Sequence, residues 1–268
     1  MKQILSKEDA NRLVSYVKAE KKTVPYLYAN LKNFDPAHPS IRLFCDGDVD
    51  NPEGVYLFYY DCLHFYTQNK EGYPVERVKA MIKELDPRVT MLQDAIGQQF
   101  KDEMLNDYVM ERNHIIDMDT INPKKPGYQS VVAGREDIVK FADLLLTEEE
   151  YSIVYDRDVL IKQLLDRYDS GFGRYYVVKE GDLVVSGCCT YGETDDLALI
   201  GGVIVHKDWR RRGLAADVEN HICDDLAAEG LSKVGFVSYE NGPSLALHAK
   251  LGAVPCAIYT KYIRKVNP

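Results

Sequence analysis

The chain has 268 residues, 46% of them apolar and 28% charged, with a net charge of −9. That length can bury the core of one large domain or two medium ones, and an acidic balance without a basic tail argues against a nucleic-acid binder, whose affinity rests on phosphate contacts. No run approaches the roughly 20 apolar residues that span a bilayer, and the opening Met-Lys-Gln-Ile-Leu-Ser-Lys-Glu-Asp-Ala turns polar too early for a secretory signal, so no membrane association and a cytoplasmic location are expected.

In the first half, Ser6–Ala19 reads as a helix, with Ser6 as N-cap ahead of Glu8 and Asp9. Ile41–Cys45, Gly54–Tyr60 and Leu63–Tyr66 read as strands separated by acidic turns. Glu76–Leu85 reads as a helix that stops before Pro87, Met91–Phe100 as another helix, and Leu105–Ile116 as a strand. Asp117–Gly127, with its Asn-Pro-Lys-Lys-Pro-Gly run, has the composition of a linker. A boundary there gives a smaller α/β domain over residues 1–120 and a second domain over 126–268.

The second half has a clearer rhythm. Tyr128–Ala133 reads as a short strand, Arg135–Leu146 as a helix and Glu148–Tyr168 as a second helical region. Arg174–Lys179 and Leu183–Tyr191 form a hairpin across the turn signal Glu180-Gly181-Asp182. Leu197–Val205 is nearly all apolar, as a strand buried on both faces should be. A helix over Gly213–Glu229 ends at Gly230, a strand runs over Lys233–Tyr239, Pro243–Leu251 forms a short helix and Ala257–Arg264 a closing strand. The fold class that follows is α+β, two domains, the second built on a mixed central sheet flanked by helices.

Residues 203–215 read Val-Ile-Val-His-Lys-Asp-Trp-Arg-Arg-Arg-Gly-Leu-Ala. A strand entering a helix through such a turn leaves several backbone N–H groups unpaired, and the positive end of the helix dipole points the same way, so the turn favours an anion such as a pyrophosphate. Gly213 lets the backbone approach the ligand closely and Ala215 does not obstruct it. An arginine-rich turn is often just a solvated surface loop; here the preceding strand, the arginine spacing, the glycine and the following helix coincide.

The spacing Arg210-x-x-Gly213-x-Ala215 after the Val-x-Val strand resembles the acyl-CoA pyrophosphate loop of the GNAT-superfamily N-acetyltransferases. The resemblance implies that backbone along Val203, Ile204 and Val205 holds the pantetheine arm. It also implies that the N–H groups of Arg211, Arg212, Gly213, Leu214, Ala215 and Ala216 hold the pyrophosphate, with the guanidinium groups of Arg210, Arg211 and Arg212 adding charge. About thirty residues on, Tyr239-Glu240-Asn241-Gly242-Pro243-Ser244 opens a helix ending in Lys250-Leu251-Gly252-Ala253, similar to the family segment that ends in Lys-Leu-Gly-Phe. Asn241 and Ser244 are the cofactor contacts expected there, and Asn241 equally suits an N-cap. The first half partly echoes the β/α order of the second without the arginine turn, a pattern that resembles two-domain GNAT proteins whose N-terminal half is a degenerate copy.

The family places a tyrosine seven residues after the asparagine, where it protonates the departing thiolate; this chain has His248. A histidine can be a general acid, although an unshifted one near pKa ~6.5 is mostly neutral at pH 7. The alternative is that His248 only packs and that water supplies the proton. An attacking amine must be neutral, and Glu193, on the connection before Leu197–Val205, is the candidate base, with Asp195 and Asp196 beside it. All three also suit solvated turn charges.

What the resemblance implies is transfer of an acetyl group from acetyl-CoA to a primary amine of a small-molecule or peptide acceptor by direct attack. A strand N–H near Val203–Val205 would stabilise the oxyanion, with no covalent intermediate and no metal. The six cysteines show no CxxC pair and no histidine at ligand spacing, and are read as reduced. His206 and His221 read as structural or exposed, and the tyrosines at positions 56, 59, 60 and 66 as core and sheet surface or, alternatively, as walls of a substrate cleft. A homodimer is left open. The main rival is an acyl-CoA-binding sensor or scaffold with little or no transferase activity. A nucleotide-binding module is weaker, since GxxxxGK[ST] and GxGxxG are absent. The acid surplus suits a cationic acceptor, but the sequence does not name one.

Overall fold

In a computed structural model of the chain, residues 1–121 and 127–265 are described. The chain divides into two compact units: Met1–Ile115 with Val237–Glu240 and Cys256–Pro268, and Ile116–Phe236 with Asn241–Pro255. The expected cut near residue 120 is thus met, but the C-terminal strand belongs to the first unit rather than the second. Residues 122–126 of the expected linker lie outside the described residues.

The first unit starts with β1 (Lys2–Ile4), α1 (Lys7–Val17) and α2 (Pro25–Asn33). Ser6 caps α1 by accepting the Asp9 N–H at 3.1 Å. An antiparallel run follows of β2 (Ile41–Asp48), β3 (Asn51–Tyr59) and β4 (Cys62–Tyr66). Helix α3 (Val75–Leu85) then crosses over to β5 (Val89–Gln93), which lies parallel to β4. Two short helices, α4 (Asp94–Gly97) and α5 (Lys101–Met104), lead to β6 (Tyr108–Asp117). The expected helix over Met91–Phe100 is corrected here: Met91–Gln93 complete β5, and only Asp94–Gly97 is α-helical. All five residues of β5 are buried, and an uninterrupted apolar run in a central strand has no alternation to separate it from a buried helix. Helix α2 was not expected, for a related reason: Pro25, Leu27, Tyr28, Ala29, Asn30 and Leu31 are all buried, so no polar stripe announces a helix.

The second unit repeats the plan. A short β7 (Val131–Val132) precedes α6 (Arg135–Leu145), α7 (Glu149–Ser152) and α8 (Arg157–Asp169), so the expected second helical region is broken between Ser152 and Arg157. Next come β8 (Tyr175–Glu180), β9 (Leu183–Glu193) and β10 (Leu197–Val205), successively antiparallel. Helix α9 (Leu214–Ala228) then crosses to β11 (Ser232–Ser238), parallel to β10. Helix α10 (Gly242–Leu251) is followed by β12 (Val254–Arg264), whose residues Tyr259–Ile263 pair antiparallel with Val89–Gln93 of β5 in the first unit. That pairing is why the C-terminal strand departs from the expected domain.

One core of the second unit gathers Ile138, Phe141, Leu145, Leu160, Leu164 and Ile204 between α6, α8 and the sheet. Each such fully buried side chain contributes about 1.5–3 kcal/mol. In the first unit, Tyr56, Phe65, Val78, Met81, Leu92 and Tyr262 form the corresponding core beneath α3. Tyr56, Tyr59 and Tyr66, singled out above, are buried there. The Tyr56 hydroxyl lies 2.7 Å from that of Tyr73, which donates at 2.7 Å to Asp46 Oδ2. Arg77 donates to the same oxygen at 2.6 Å. Burial alone would raise the Asp46 pKa, but the Tyr73 hydroxyl and Arg77 outweigh it and hold the carboxyl below its ordinary value.

Candidate active site

Strands β10 and β11 are in register only from Leu197↔Ser232 to Ile200↔Gly235. Beyond Ile200, β10 continues to Val205 without a registered partner on that side, while its other edge stays paired with β9. The β9 pairing shifts register between Gly201 and Ile204. Two glycines make this irregularity feasible. Gly202 has φ +64°, and a side chain on Gly201 would strike the Tyr191 ring. The unpaired edge of β10 therefore opens a gap between two parallel strands, with Val203 and Val205 half-buried and Ile204 anchored in the core.

At the end of β10 the chain makes a 3₁₀ turn over Lys207–Trp209 and enters α9. Arg211 (φ +64°) and Gly213 (φ +82°) both take left-handed backbone, which an arginine rarely adopts. A Cβ on Gly213 would meet no atom within 4 Å, so the space above the turn is open. The first helical bond of α9 runs from the Asp217 N–H to the Gly213 carbonyl at 3.0 Å. The N–H groups of Leu214, Ala215 and Ala216 thus precede the helical ladder and point out of the helix start, as an anion requires. The turn is the concave arrangement of backbone donors that the sequence suggested.

The three arginines are not equivalent. Arg210 donates Nε to the Val205 carbonyl at 3.1 Å and pairs with Glu148, which ties the turn to the segment before α7. Arg212 lies over the Trp209 ring at 4.5 Å and donates to the Asp208 carbonyl. Arg211 is exposed. His206 caps the 3₁₀ turn, and His221 packs against Tyr128 and Tyr176 with Nδ1 3.0 Å from Ser130 Oγ.

Asn241 caps α10 by accepting the Ser244 N–H at 3.1 Å. His248 is the one residue of α10 that is buried. Its Nδ1 stands 2.7 Å from the Ser244 carbonyl and 3.3 Å from Ser244 Oγ. Its Nε2 is 2.8 Å from Oε1 of Glu219, a fully buried carboxylate on α9. Burial pulls the His248 pKa down, yet the hydrogen bond and charge of Glu219 and the Ser244 carbonyl outweigh it, and the group titrates above its ordinary value.

The expectation of a free carboxylate at Glu193 is corrected. Glu193 ends β9 opposite Ala198, is 9% exposed, and receives Arg174 Nε on Oε1 at 2.8 Å and Nη2 on Oε2 at 2.7 Å. Thr190 Oγ1 donates to Oε1 at 2.5 Å. Arg174 also grips Glu229 just after the last turn of α9, while the anion turn lies at the first. Those ends are about 22 Å apart at 1.5 Å per residue. Glu229 raises the Arg174 pKa most, against burial, with Glu193 adding to the rise.

Sequence reasoning missed Glu219 and the pair Tyr151–Tyr191. An acid at a core-facing position of α9, among Leu214, Val218, Ile222 and Cys223, was a visible signal. So was Gly201-Gly202 inside an apolar strand. The Tyr151 and Tyr191 hydroxyls are 3.0 Å apart over this glycine pair, and burial pushes the Tyr151 pKa up.

With this geometry in hand, residues 140–253 match the Acetyltransferase (GNAT) family. These residues form a GNAT acetyltransferase domain. Solved structures agree over the whole chain. A tandem GNAT protein from the clavulanic acid biosynthesis pathway is 15% identical with a TM-score of 0.61, covering 100% of this chain and 99% of its own. A GCN5-related N-acetyltransferase-like protein from Streptococcus suis is 16% identical, TM-score 0.61, covering 96% and 99%. A Drosophila malonogaster protein is 13% identical, TM-score 0.70, covering 100% and 99%. No curated protein matches the chain in sequence. At these identities the structures speak for the fold, which is of the two-domain GNAT type, and the domain's family is one of acyl transfer. The anion turn, the strand gap, Asn241 and His248 all fall within or at the matched GNAT domain. Among the described residues no helix is long and apolar enough to cross a membrane, no cluster of three or more metal-ligating side chains occurs, and all six cysteines are free.

Proposed function

We propose that the GNAT domain transfers an acetyl group from acetyl-CoA to a primary amine by direct attack on the thioester carbonyl. The observation that carries this reading is the joining of an unpaired strand edge, Gly201–Val205, to an anion turn at the start of α9. An amide-bearing arm laid in the gap replaces the missing β11 partner, and the donors of Arg211–Ala216 take up the pyrophosphate at its end. A strand N–H between Val203 and Val205 polarises the acyl carbonyl. His248 gives the proton to the leaving sulfur. Glu193 has no base role in this scheme. Its oxygens are held by Arg174 and Thr190, and the amine loses its proton to water. The acceptor class is a small-molecule or peptide amine.

The second reading, an acyl-CoA sensor or scaffold, draws support from His248, which is 6% exposed and already engaged on both ring nitrogens. Calorimetric titration with acetyl-CoA, beside a Gly213→Glu variant, tests the common part of the two readings. Micromolar binding that the variant loses is the expected result. Turnover on a panel of amines then separates enzyme from sensor. Absence of binding by the unmodified protein overturns both.

A further inference from the structure

Helices α9 and α10 begin where the two diverging strands end, α9 after β10 and α10 after β11. A buried pair, Glu219 of α9 and His248 of α10, joins them. Glu219 is completely buried, and its Oε2 has no hydrogen-bond partner among the described residues. A carboxylate in that position is costly, by several kcal/mol after relaxation, unless a counter-charge compensates it. The proton inventory is constrained. The Ser244 carbonyl can only accept, so Nδ1 carries a hydrogen in every state of the ring, and the titrating atom is Nε2, which faces Glu219.

The other ionisable groups around the carboxylate are thiols: Cys188 on β9 and Cys223 on α9. Burial pushes both far up, so they stay neutral and supply no counter-charge. Lys233 of β11 is engaged by Asp119 through its ammonium at 3.5 Å and its N–H at 2.6 Å. The imidazolium of His248 is the cation in direct contact with Glu219.

We propose that Glu219 is a positioning residue: it orients His248 and supplies the charge that keeps a proton on Nε2 for delivery to the CoA sulfur. This rests on the acetyl-CoA reading above. In the reaction the amine lone pair forms the N–C bond, and the C–S bond breaks with its electron pair on sulfur. Sulfur takes the Nε2 proton, the proton shed by nitrogen passes to water, and a water proton restores the imidazolium. An isolated imidazole near pKa ~6.5 would be mostly neutral at pH 7 and a partial donor at best; the buried carboxylate removes that deficit. Helix α10, whose buried residue is this histidine, is thereby held at the gap by the group that does the chemistry.

The test uses the full chain and CoA as the probe. Ultraviolet thiolate absorbance reports the ionisation of bound CoA, and nitrogen-detected NMR reports the titration of His248. An imidazolium beside the sulfur should lower the bound thiol by about one pH unit, a tenfold change in its ionisation constant, relative to free CoA. Glu219→Gln and His248→Phe should each abolish that shift, and Glu219→Gln should also bring His248 down to or below its ordinary range. A bound thiol that ionises like free CoA, or a His248 titration unmoved by Glu219→Gln, overturns the proposal while leaving acetyl-CoA binding intact. Should Glu219→Gln not fold, the unmodified protein still decides, because a His248 that titrates at or below the ordinary imidazole value contradicts the pairing. Failure of the unmodified protein to bind CoA at all would overturn the functional reading, and this proposal with it.

Discussion

The two units share a strand plan and differ in what they do with it. In each, an antiparallel run ends in a parallel pair joined by a helix: β4 to β5 through α3, and β10 to β11 through α9. In the second unit the turn before the helix carries three arginines and caps α9 with Gly213. In the first the corresponding turn is Thr67-Gln-Asn-Lys-Glu-Gly-Tyr-Pro74. Its Lys70 is taken by Glu20 at 2.6 Å, Pro74 stands at the N-cap with no N–H to offer, and Glu76 sits in the first turn. The parallel strands differ as well. Past the registered pair His64↔Met91, the Gln93 side chain accepts the Thr67 N–H at 3.0 Å, so the protein's own amide bridges the first unit's strands where the second leaves a gap. A topology can therefore persist while its anion site is erased by a proline, an acid and one bridging glutamine.

This comparison can be broken experimentally. The largest effect should come from Gly213→Glu, which sets a negative charge at the anion turn and a side chain at φ +82°. CoA affinity should fall on the order of 100-fold or more, since like charges in contact cost several kcal/mol, whereas Gly72→Glu in the first unit's turn should leave it unchanged in the same titration. Gly201→Val should come next. Its side chain collides with the Tyr191 ring, and chemical denaturation should show a loss of about 1–3 kcal/mol from overpacking together with weakened CoA binding. A comparable loss of about 1–3 kcal/mol is expected in the first unit for Tyr73→Phe, which strips a donor from buried Asp46. Here CoA affinity should not move; if it does, the first unit is not the inert copy described above. Gln93→Ala orphans the Thr67 N–H and should cost about 1–2 kcal/mol without creating a second CoA stoichiometry. The smallest effect concerns pH. Because the folded His248 pKa is raised, the stability it contributes is complete below the ordinary imidazole value of about 6.5 and is lost as pH rises through the folded value. The difference in denaturation midpoint between the protein and His248→Gln should accordingly shrink from pH 6 to pH 9.

Much of the second unit was legible because its signals are local. The turn Arg210–Ala215 is contiguous, and hairpin β8–β9 is announced by Glu180-Gly181-Asp182. The first unit was harder to read. Helix α2 and strand β5 are buried almost throughout, so the alternation that marks an element against solvent is missing. The site was half legible for another reason. That Glu193 and Arg174 pair, or that Glu219 meets His248, depends on side chains brought together across 19 and 29 positions of sequence. Charge and spacing nominate such residues. Only the sheet and helix packing decide which carboxylate is locked and which adjoins an ionisable ring.

Strand β12 has a consequence for how the protein is made. The edge of β5 in the first unit is covered by residues at the far C-terminal end of the chain, Tyr259–Ile263. A ribosome adding about 5–20 residues per second needs on the order of ten seconds or more after Gln93 emerges before that cover exists. Throughout that interval a nascent sheet displays an unsatisfied apolar border, the kind of edge that recruits foreign strands. The first half of the chain is thus the first translated and among the last completed, and its yield in the cell should depend on chaperone capacity more than the stability of the finished protein would suggest.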